Sequence, residues 1–504
     1  MSVDALAPTR PRAVAARAMR LVVALTLVAA VVRFATLGQQ SLWLDESYTI
    51  QGVGGSFAGL LDWVRSTEGS PPLYFVLAWA WGKAFGTTAV ALRSLSALAG
   101  VASVPLVYAA GAAVGLRRAG LWAAALTAVS PLVIWYSQEA RAYALLVALC
   151  AASLWCAGRV VSGGPRRWLV GWAVAASLAV ATHFFAGFLI GGEIVWLVAV
   201  TRRRAAAAVA AVCLAQVALL PLVLGGAGHF GTQWIGHLPL TLRLGQVPDQ
   251  FIFGPGEAAV AHRVAAAIAL LIGAAAAVLI WRFAGAAARR AAVVWGALAA
   301  GCLLGPLAFA LAGVDYLDAR NEIVAWVPLA LVFGVAATAR RARLAATALA
   351  AATLALLAAG TVAIATRPDL QRQDWRAVAR ALGRPAVTRA LIVSPGGRTL
   401  VDYMPRLRWN VARHQRVAEV DVIGGRAHPA RGLACWWGGA CDLPRRLIPA
   451  AAPFRGFREV ARRRVGPLIV VRFRARAPHR VSLHRATAYR VHHHYAVFFG
   501  LQSK

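Results

Sequence analysis

Long apolar runs, separated at short intervals by clusters of arginine, fill the first two thirds of this chain. Taken as helices, they fall at about 20–38, 88–113, 119–137, 141–161, 168–185, 187–201, 205–224, 262–283, 290–312, 322–339 and 343–365. Each is near the roughly 20 residues that the hydrocarbon core of a bilayer requires. The pattern predicts about eleven transmembrane helices. One further run, Ser70–Gly86 (SPPLYFVLAWAWGKAFG), is short, opened by Pro71 and Pro72 and interrupted by Lys83. As a span it would put every later arginine cluster on the opposite side. It is therefore expected to lie along the interface, with its Trp and Tyr at headgroup level.

Beyond Arg367 the apolar runs cease. The polar stretch DLQRQDWRAVARAL starts a module of roughly 140 residues, large enough for its own core. Alternation in Ala390–Ser394 and Leu468–Phe473 predicts strands, and Asp374–Leu382 a helix. The expected fold class is a mainly α polytopic membrane protein with a small C-terminal extracytoplasmic α/β domain. The division falls at residues 1–366 and 367–504.

Composition agrees, since 60% of the 504 residues are hydrophobic. The formal charge of +34 would suit a nucleic-acid binder. Its arginines, however, sit in short clusters between apolar runs: Arg10/Arg12/Arg17/Arg20, Arg117/Arg118, Arg159/Arg166/Arg167, Arg202/Arg203/Arg204, Arg282/Arg289/Arg290 and Arg340/Arg341/Arg343. Such clusters stay cytoplasmic, which orients the chain with its amino terminus inside and its C-terminal module outside the cytoplasmic membrane. The expected partners include the bilayer and exclude nucleic acid. Met19–Gly38 lacks a small-residue cleavage site and reads as a signal-anchor. With this topology only Asp4 is a cytoplasmic acid. The acids from Asp45 to Glu322 fall in or beside outward loops, with Glu193 inside a span. Cys435 and Cys441 (CWWGGAC) face the oxidising side and could pair, while His492–His494 reads as a solvated turn.

Charged side chains at membrane depth are costly and tend to mark sites. Two adjacent carboxylates, Asp45 and Glu46 in SLWLDESYTIQ, directly follow the first span. Further along come ALRSLSALAG, SPLVIWYSQEARAY, THFF and DARNEIVAWVPL. This ordered series resembles the GT-C membrane glycosyltransferases, nearest to the bacterial relatives of protein O-mannosyltransferases and of the aminoarabinose transferase. The resemblance covers roughly residues 20–340. It departs at Ser70, where His or Lys is common, and at Arg320-Asn321-Glu322, where an R-Y-L-like motif is usual.

The resemblance implies transfer of a sugar, mannose first, from a polyprenyl-phosphate donor to a protein, polysaccharide or glycolipid acceptor on the outer face. A polyprenyl phosphate is a weak base and leaves without a general acid; the acceptor hydroxyl needs a base. Asp45 is the candidate base, with Glu46 and Glu139 the other candidate catalytic acids. Asp45 could instead cap an outer helix, and Glu139 could simply pair with Arg141. A divalent metal held by Asp45 and Glu139 is the one cofactor left open. Arg141, Arg320 and Arg93 are candidates to grip phosphate, or to snorkel. His183 could bind phosphate or serve as base, or only pack. Trp43, Tyr48, Tyr74 and Tyr143 could flank sugar or isoprenoid, although interfacial aromatic belts use the same residues. The rival readings are a transporter or flippase, which would show repeated halves with midplane charges, and a non-catalytic binder of lipid-linked sugars.

Overall fold

The computed structural model describes residues 10–68, 70–226, 233–236, 238–255, 262–409, 414–425, 452–482 and 498–503. Cys435, Cys441 and His492–His494 lie outside the described residues. Helix α1 (Arg10–Ala35) opens the bundle, and α2 (Leu44–Gly54), α3 (Phe57–Trp63) and α4 (Leu73–Phe85) form the long first loop. Then come α5 (Ala89–Ala113), α6 (Arg117–Val129), α7 (Pro131–Ser137), α8 (Tyr143–Val161), α9 (Arg167–Thr182), α10 (Ala186–Thr201) and α11 (Ala206–Gly226). The short α12 (Gln233–Gly236) and α13 (Leu240–Phe253) precede α14 (His262–Phe283), α15 (Ala286–Leu311), α16 (Trp326–Ala336) and α17 (Arg343–Thr366).

Helix occupies every expected span, but length and hydropathy support fewer crossings than eleven. Among the described residues they support seven, or eight if α6 and α7 form one bent span. Helix α9 and the stretch Asn321–Ala336 are apolar but shorter, and Ala186–Leu222 counts as one apolar stretch of 37 residues. A straight helix of that length would run about 55 Å, against a hydrocarbon core of about 30 Å. Arg202, at φ 50 and ψ −128, breaks it, and α11 returns alongside α9. Helix α4 has 13 residues, about 20 Å, too short to cross. It buries Tyr74, Phe75 and Ala78 against its neighbours.

The α6–α7 bend of 58° has a local cause. Pro131 has no N–H to offer the carbonyl of Thr127, so the helical ladder breaks there. Buried Arg33 of α1 takes over: its Nη2 donates to Thr127 O and its Nη1 to Ala128 O, both at 3.1 Å. Thr361 Oγ1 donates to Val129 O at 2.8 Å. The bend aims α7 and the turn after it, which carries Glu139, at the first loop.

Ser162 Oγ donates to Ala113 O at 2.9 Å, and Arg204 Nη2 to Gly164 O at 2.7 Å. These bonds gather the arginine-bearing turns after α5, α8 and α10 at one end of the bundle. The turns carrying Asp45, Glu139 and Arg320 meet at the other.

After α17, helix α18 (Trp375–Leu382) starts at Asp374, whose Oδ1 accepts from Ala377 N at 3.0 Å, an ordinary N-cap. Strands β1 (Arg389–Val393), β2 (Leu407–Trp409), β3 (His414–Gly425), β4 (Arg458–Val465), β5 (Leu468–Ser482) and β6 (Phe498–Gln502) form one sheet, ordered β2-β6-β1-β3-β5-β4. Only the β1–β3 pairing is parallel. Both faces of β1 are buried: Ala390 and Ile392 pack with Phe473, Leu391 and Val393 with Trp375 and Val378. The expected mainly α chain with a small C-terminal sheet module is what the structure shows. That module docks on the first loop: Ser41 Oγ donates to Gln373 O at 2.9 Å, and Leu42 N donates to Tyr403 Oη at 2.6 Å.

Candidate active site

Asp45 and Glu46 occupy the first turn of α2, where the helix dipole favours acids. The N-cap is Trp43, so Asp45 does not cap the helix. Glu46 reaches back instead: its Oε2 accepts from Trp43 N at 3.0 Å, the return bond of a capping box. Neighbouring helix residues point about 100° apart. Glu46 therefore turns into the protein while the Asp45 side chain stays 18% exposed.

Glu46 is completely enclosed. Arg93 grips it with Nε and Nη2, both at 2.6 Å, Ala140 N donates at 3.0 Å, and Arg372 Nη1 lies at 3.3 Å. Arg93 spends its remaining donors on Leu37 O, Gln40 O and Ser41 O. All five N–H groups of the guanidinium are engaged. This corrects the expectation that Arg93 is available to grip phosphate. Burial would raise the Glu46 carboxyl, but Arg93, and then Arg372, hold it down at about 2. The pair ties α5 and the α7–α8 turn to the first loop.

Glu139, in the α7–α8 turn, is buried and hydrogen-bonded to Nη2 of Arg372. The Arg372 guanidinium lies over the Trp135 ring at 4.5 Å. Burial pushes the Glu139 carboxyl up; Arg372 opposes this, while Glu46 and Asp45 add to it. Arg372 thus bridges Glu46 and Glu139, and Asp45 lies near enough to act on Glu139. The alternative of a Glu139–Arg141 pair does not form. Arg141 Nη1 instead donates to Glu68 Oε2 at 3.0 Å, beneath the Phe75 ring. Arg141 stands only two residues after Glu139, its own N–H donates to the Glu139 carbonyl at 2.8 Å, and Glu68 from the first loop takes its guanidinium.

Asp45 accepts from Arg320 Nη1 at 2.8 Å, and Asp318 Oδ1 accepts from the Arg320 N–H at 3.1 Å. His183 follows α9, and its Nδ1 accepts from Phe185 N at 3.2 Å. Burial, with Arg141 and Arg320 nearby, pushes His183 down to about 3. The Tyr143 ring lies 4.7 Å from Tyr136 and 5.5 Å from His183, lining the same end. Tyr48 sits under the guanidinium of Arg398 from the sheet module. Trp43 is half-buried. Tyr74 is not near a solvent path: it is fully buried, with its hydroxyl 2.8 Å from Ser96 Oγ.

The donor set does not fit a metal. Asp45 and Glu139 each hold an arginine, and no group of three His, Cys, Asp or Glu side chains suited to an ion occurs among the described residues. Hard cations want several oxygens at once.

Sequence reasoning passed over Arg372, Glu68 and Asp318. Arg372 stood in the polar run after the last span, one arginine among many. An apolar cavity of about 650 Å³ lies between α13, α14, α15, α16 and α17, with Phe251, Ile272, Trp281, Trp326 and Leu357 in its wall.

Residues 69–224 match the family model of dolichyl-phosphate-mannose-protein mannosyltransferase. No curated protein sequence matches the chain. Among solved structures, it is similar to ArnT from Cupriavidus metallidurans bound to undecaprenyl phosphate: 16% identity, 90% of this chain, 97% of that one, TM-score 0.40. It is also similar to the Archaeoglobus fulgidus oligosaccharyltransferase in its apo form: 14% identity, 77% of this chain, 59% of that one, TM-score 0.45. A third is the S. cerevisiae protein O-mannosyltransferase Pmt1-Pmt2 complex bound to the sugar donor: 18% identity, TM-score 0.34. That match covers 42% of this chain and about a third, 33%, of the yeast chain. The stretch from the turn before α4 to the end of α11 is thus similar to the dolichyl-phosphate-mannose-protein mannosyltransferases, in line with the GT-C resemblance read from the sequence.

Proposed function

We propose that this protein is a membrane glycosyltransferase that moves a sugar, mannose first, from a polyprenyl-phosphate carrier to an acceptor on the outer face of the cytoplasmic membrane. One observation carries the reading. A partly exposed carboxylate, Asp45, stands beside Arg320 at the end of the bundle where Glu139 is also gathered. The family match over 69–224 supports the donor class.

The chemistry follows from those groups. Asp45 accepts the proton of the acceptor hydroxyl as its oxygen bonds to the anomeric carbon. The bond from that carbon to the phosphate oxygen breaks on the opposite face, and the polyprenyl phosphate leaves as an anion. Attack opposite the leaving group inverts the anomeric centre. Arg320, already aimed at Asp45, is the cation nearest the reacting atoms and stabilises the growing phosphate charge. The apolar cavity suits the hydrocarbon of the carrier.

The test is an assay of the full chain in lipid, offered radiolabelled polyprenyl-phosphate mannose, glucose and arabinose with an envelope extract as acceptor. Transfer by wild type and its loss in Asp45→Asn is the expected result. Full transfer by Asp45→Asn, or none by wild type with any donor, would remove the reading. Lipid-linked sugar moved across vesicles without transfer would favour a flippase.

A further inference from the structure

Arg372 lies in the connection between α17 and α18, more than two hundred residues from either acid it touches. Its position is fixed on every side. Its backbone N–H donates to Gln40 Oε1 at 3.1 Å, and the carbonyl of the next residue, Gln373, accepts from Ser41 Oγ. Gln371 Nε2 donates to Ile364 O at 2.8 Å, anchoring the other flank to the end of α17. The side chain is 4% exposed and stacked on Trp135, a contact that favours a planar cation.

We propose that Arg372 is a positioning residue of the transfer reaction, delivered by the docked C-terminal module to hold Glu139 beside Glu46 in the site. This rests on the proposed function, since it assumes that Glu139 belongs to a transfer site.

Two buried carboxylates side by side repel, and an enclosed charge needs a partner. Glu46 has Arg93 to itself. Among the described residues, Arg372 is the cation in contact with Glu139. A guanidinium is a planar fork that can meet two carboxylates at once; a lysine ammonium is a point charge that meets one. Trp135, Gln40 and Ser41 set that fork before substrate arrives. Undocking the sheet module would withdraw it and release Glu139. The C-terminal module is therefore part of the site, although its core lies elsewhere.

The experiment measures kcat and donor KM for Arg372→Ala, Arg372→Lys and Arg376→Ala in lipid, with the donor that wild type uses. Arg376 serves as the docking control, because among the described residues it reaches Gly38 O, Gln40 O and Tyr403. Arg372→Ala is expected to lower kcat about 100-fold, the scale of a misplaced group, with donor KM within about threefold. Millimolar methylguanidinium should restore Arg372→Ala about tenfold and leave wild type unchanged, since only a missing guanidinium can be replaced this way. Arg376→Ala should stay within about threefold of wild type. If Arg372→Ala fails to fold, Arg372→Lys carries the test, with kcat about tenfold down at an unchanged melting temperature. Wild-type kcat in a folded Arg372 variant, or an equal loss in Arg376→Ala while hydrogen exchange shows the module still docked, would overturn the proposal. Should Asp45→Asn be inactive while the Arg372 variants are normal, only this inference falls. Should Asp45→Asn be fully active, the transfer reading falls with it.

Discussion

The protein builds two arginine–carboxylate networks, one in the sheet module and one at the end of the helical bundle, and they differ in one respect. In the sheet, Glu419 and Asp421 stand two apart on β3 and so share a face. Arg389 of β1 lies opposite Glu419, and Arg474 and Arg472 of β5 lie opposite Glu419 and Asp421. Their contacts are close: Arg474 to Glu419 at 2.7 Å, Arg472 to Asp421 at 2.8 Å, Arg389 to Asp421 at 3.2 Å. The two acids are 1% and 0% exposed. At the bundle end, Asp45, Glu46 and Glu139 face Arg320, Arg93 and Arg372. Three arginines serve two carboxylates in the sheet and three serve three at the bundle end, but Asp45 alone among these acids keeps an open side. A network whose carboxylates are all covered holds structure, whereas one left open at a single carboxylate can meet a substrate.

The largest effect expected from breaking this contrast is on Asp45. Asp45→Asn should lower transfer about 10³-fold, within the range of a general base, and shift stability by no more than about 1 kcal/mol, since the amide still accepts from Arg320. Rate and melting curves measured on one preparation check both; a coupled loss would make Asp45 structural like its neighbour. Glu46→Gln is the counterpart, and removing one partner of a buried pair should cost about 3–5 kcal/mol. Its pH dependence has a definite sign. The folded carboxyl lies near 2 and the ordinary one at 4.5. The stabilisation is therefore complete above about pH 4.5 and lost as pH falls through about 2. Wild-type melts should show that slope and Glu46→Gln melts should lack it. A matching slope in both proteins would assign the acid sensitivity elsewhere.

How much of this was legible in the sequence depends on the range of the interaction. The helices were legible because apolar length is a local property, and α4 was set apart by its paired prolines and Lys83. The number of crossings was less so, since α9 and Asn321–Ala336 fall below the length of a full span. Asp45 and Glu139 stood out as acids beside hydrocarbon. Which acid stays open was not readable, because Asp45 and Glu46 are adjacent and only the turn of α2 separates their environments. Arg372 and Glu68 were missed for one reason: their partners lie 233 and 73 positions away. No periodicity encodes such distances. The arginine–carboxylate network in the sheet was hidden the same way, in a strand register that composition does not reveal.

A smaller effect is expected in the closed network. Asp421→Asn removes the negative charge and one of the two oxygens that accept from Arg472 and Arg389 and should destabilise the sheet module by about 1–3 kcal/mol, while transfer stays within about twofold. Hydrogen exchange should quicken in β1 and β3 and remain slow in α5 and α8. Transfer lost in proportion to that quickening would show the sheet core itself feeding the site, and the two networks would no longer be separable.

The smallest effect is expected at His183, a residue whose type invites a catalytic reading. Its Nδ1 accepts a backbone hydrogen bond from Phe185, so that nitrogen carries no proton. Burial and the two nearby arginines place its titration at about 3. An imidazole held neutral by cations is a poor proton acceptor at pH 7, because the arginines that depress it also oppose the charge it would gain. Asp45 accepts a proton with the opposite consequence: it surrenders a negative charge beside Arg320 just as the departing phosphate supplies another. His183→Gln should therefore keep transfer within about threefold and leave the pH–rate profile between 5 and 8 unmoved. A loss as deep as that of Asp45→Asn, with the acid limb displaced, would make the imidazole the base and Asp45 its partner.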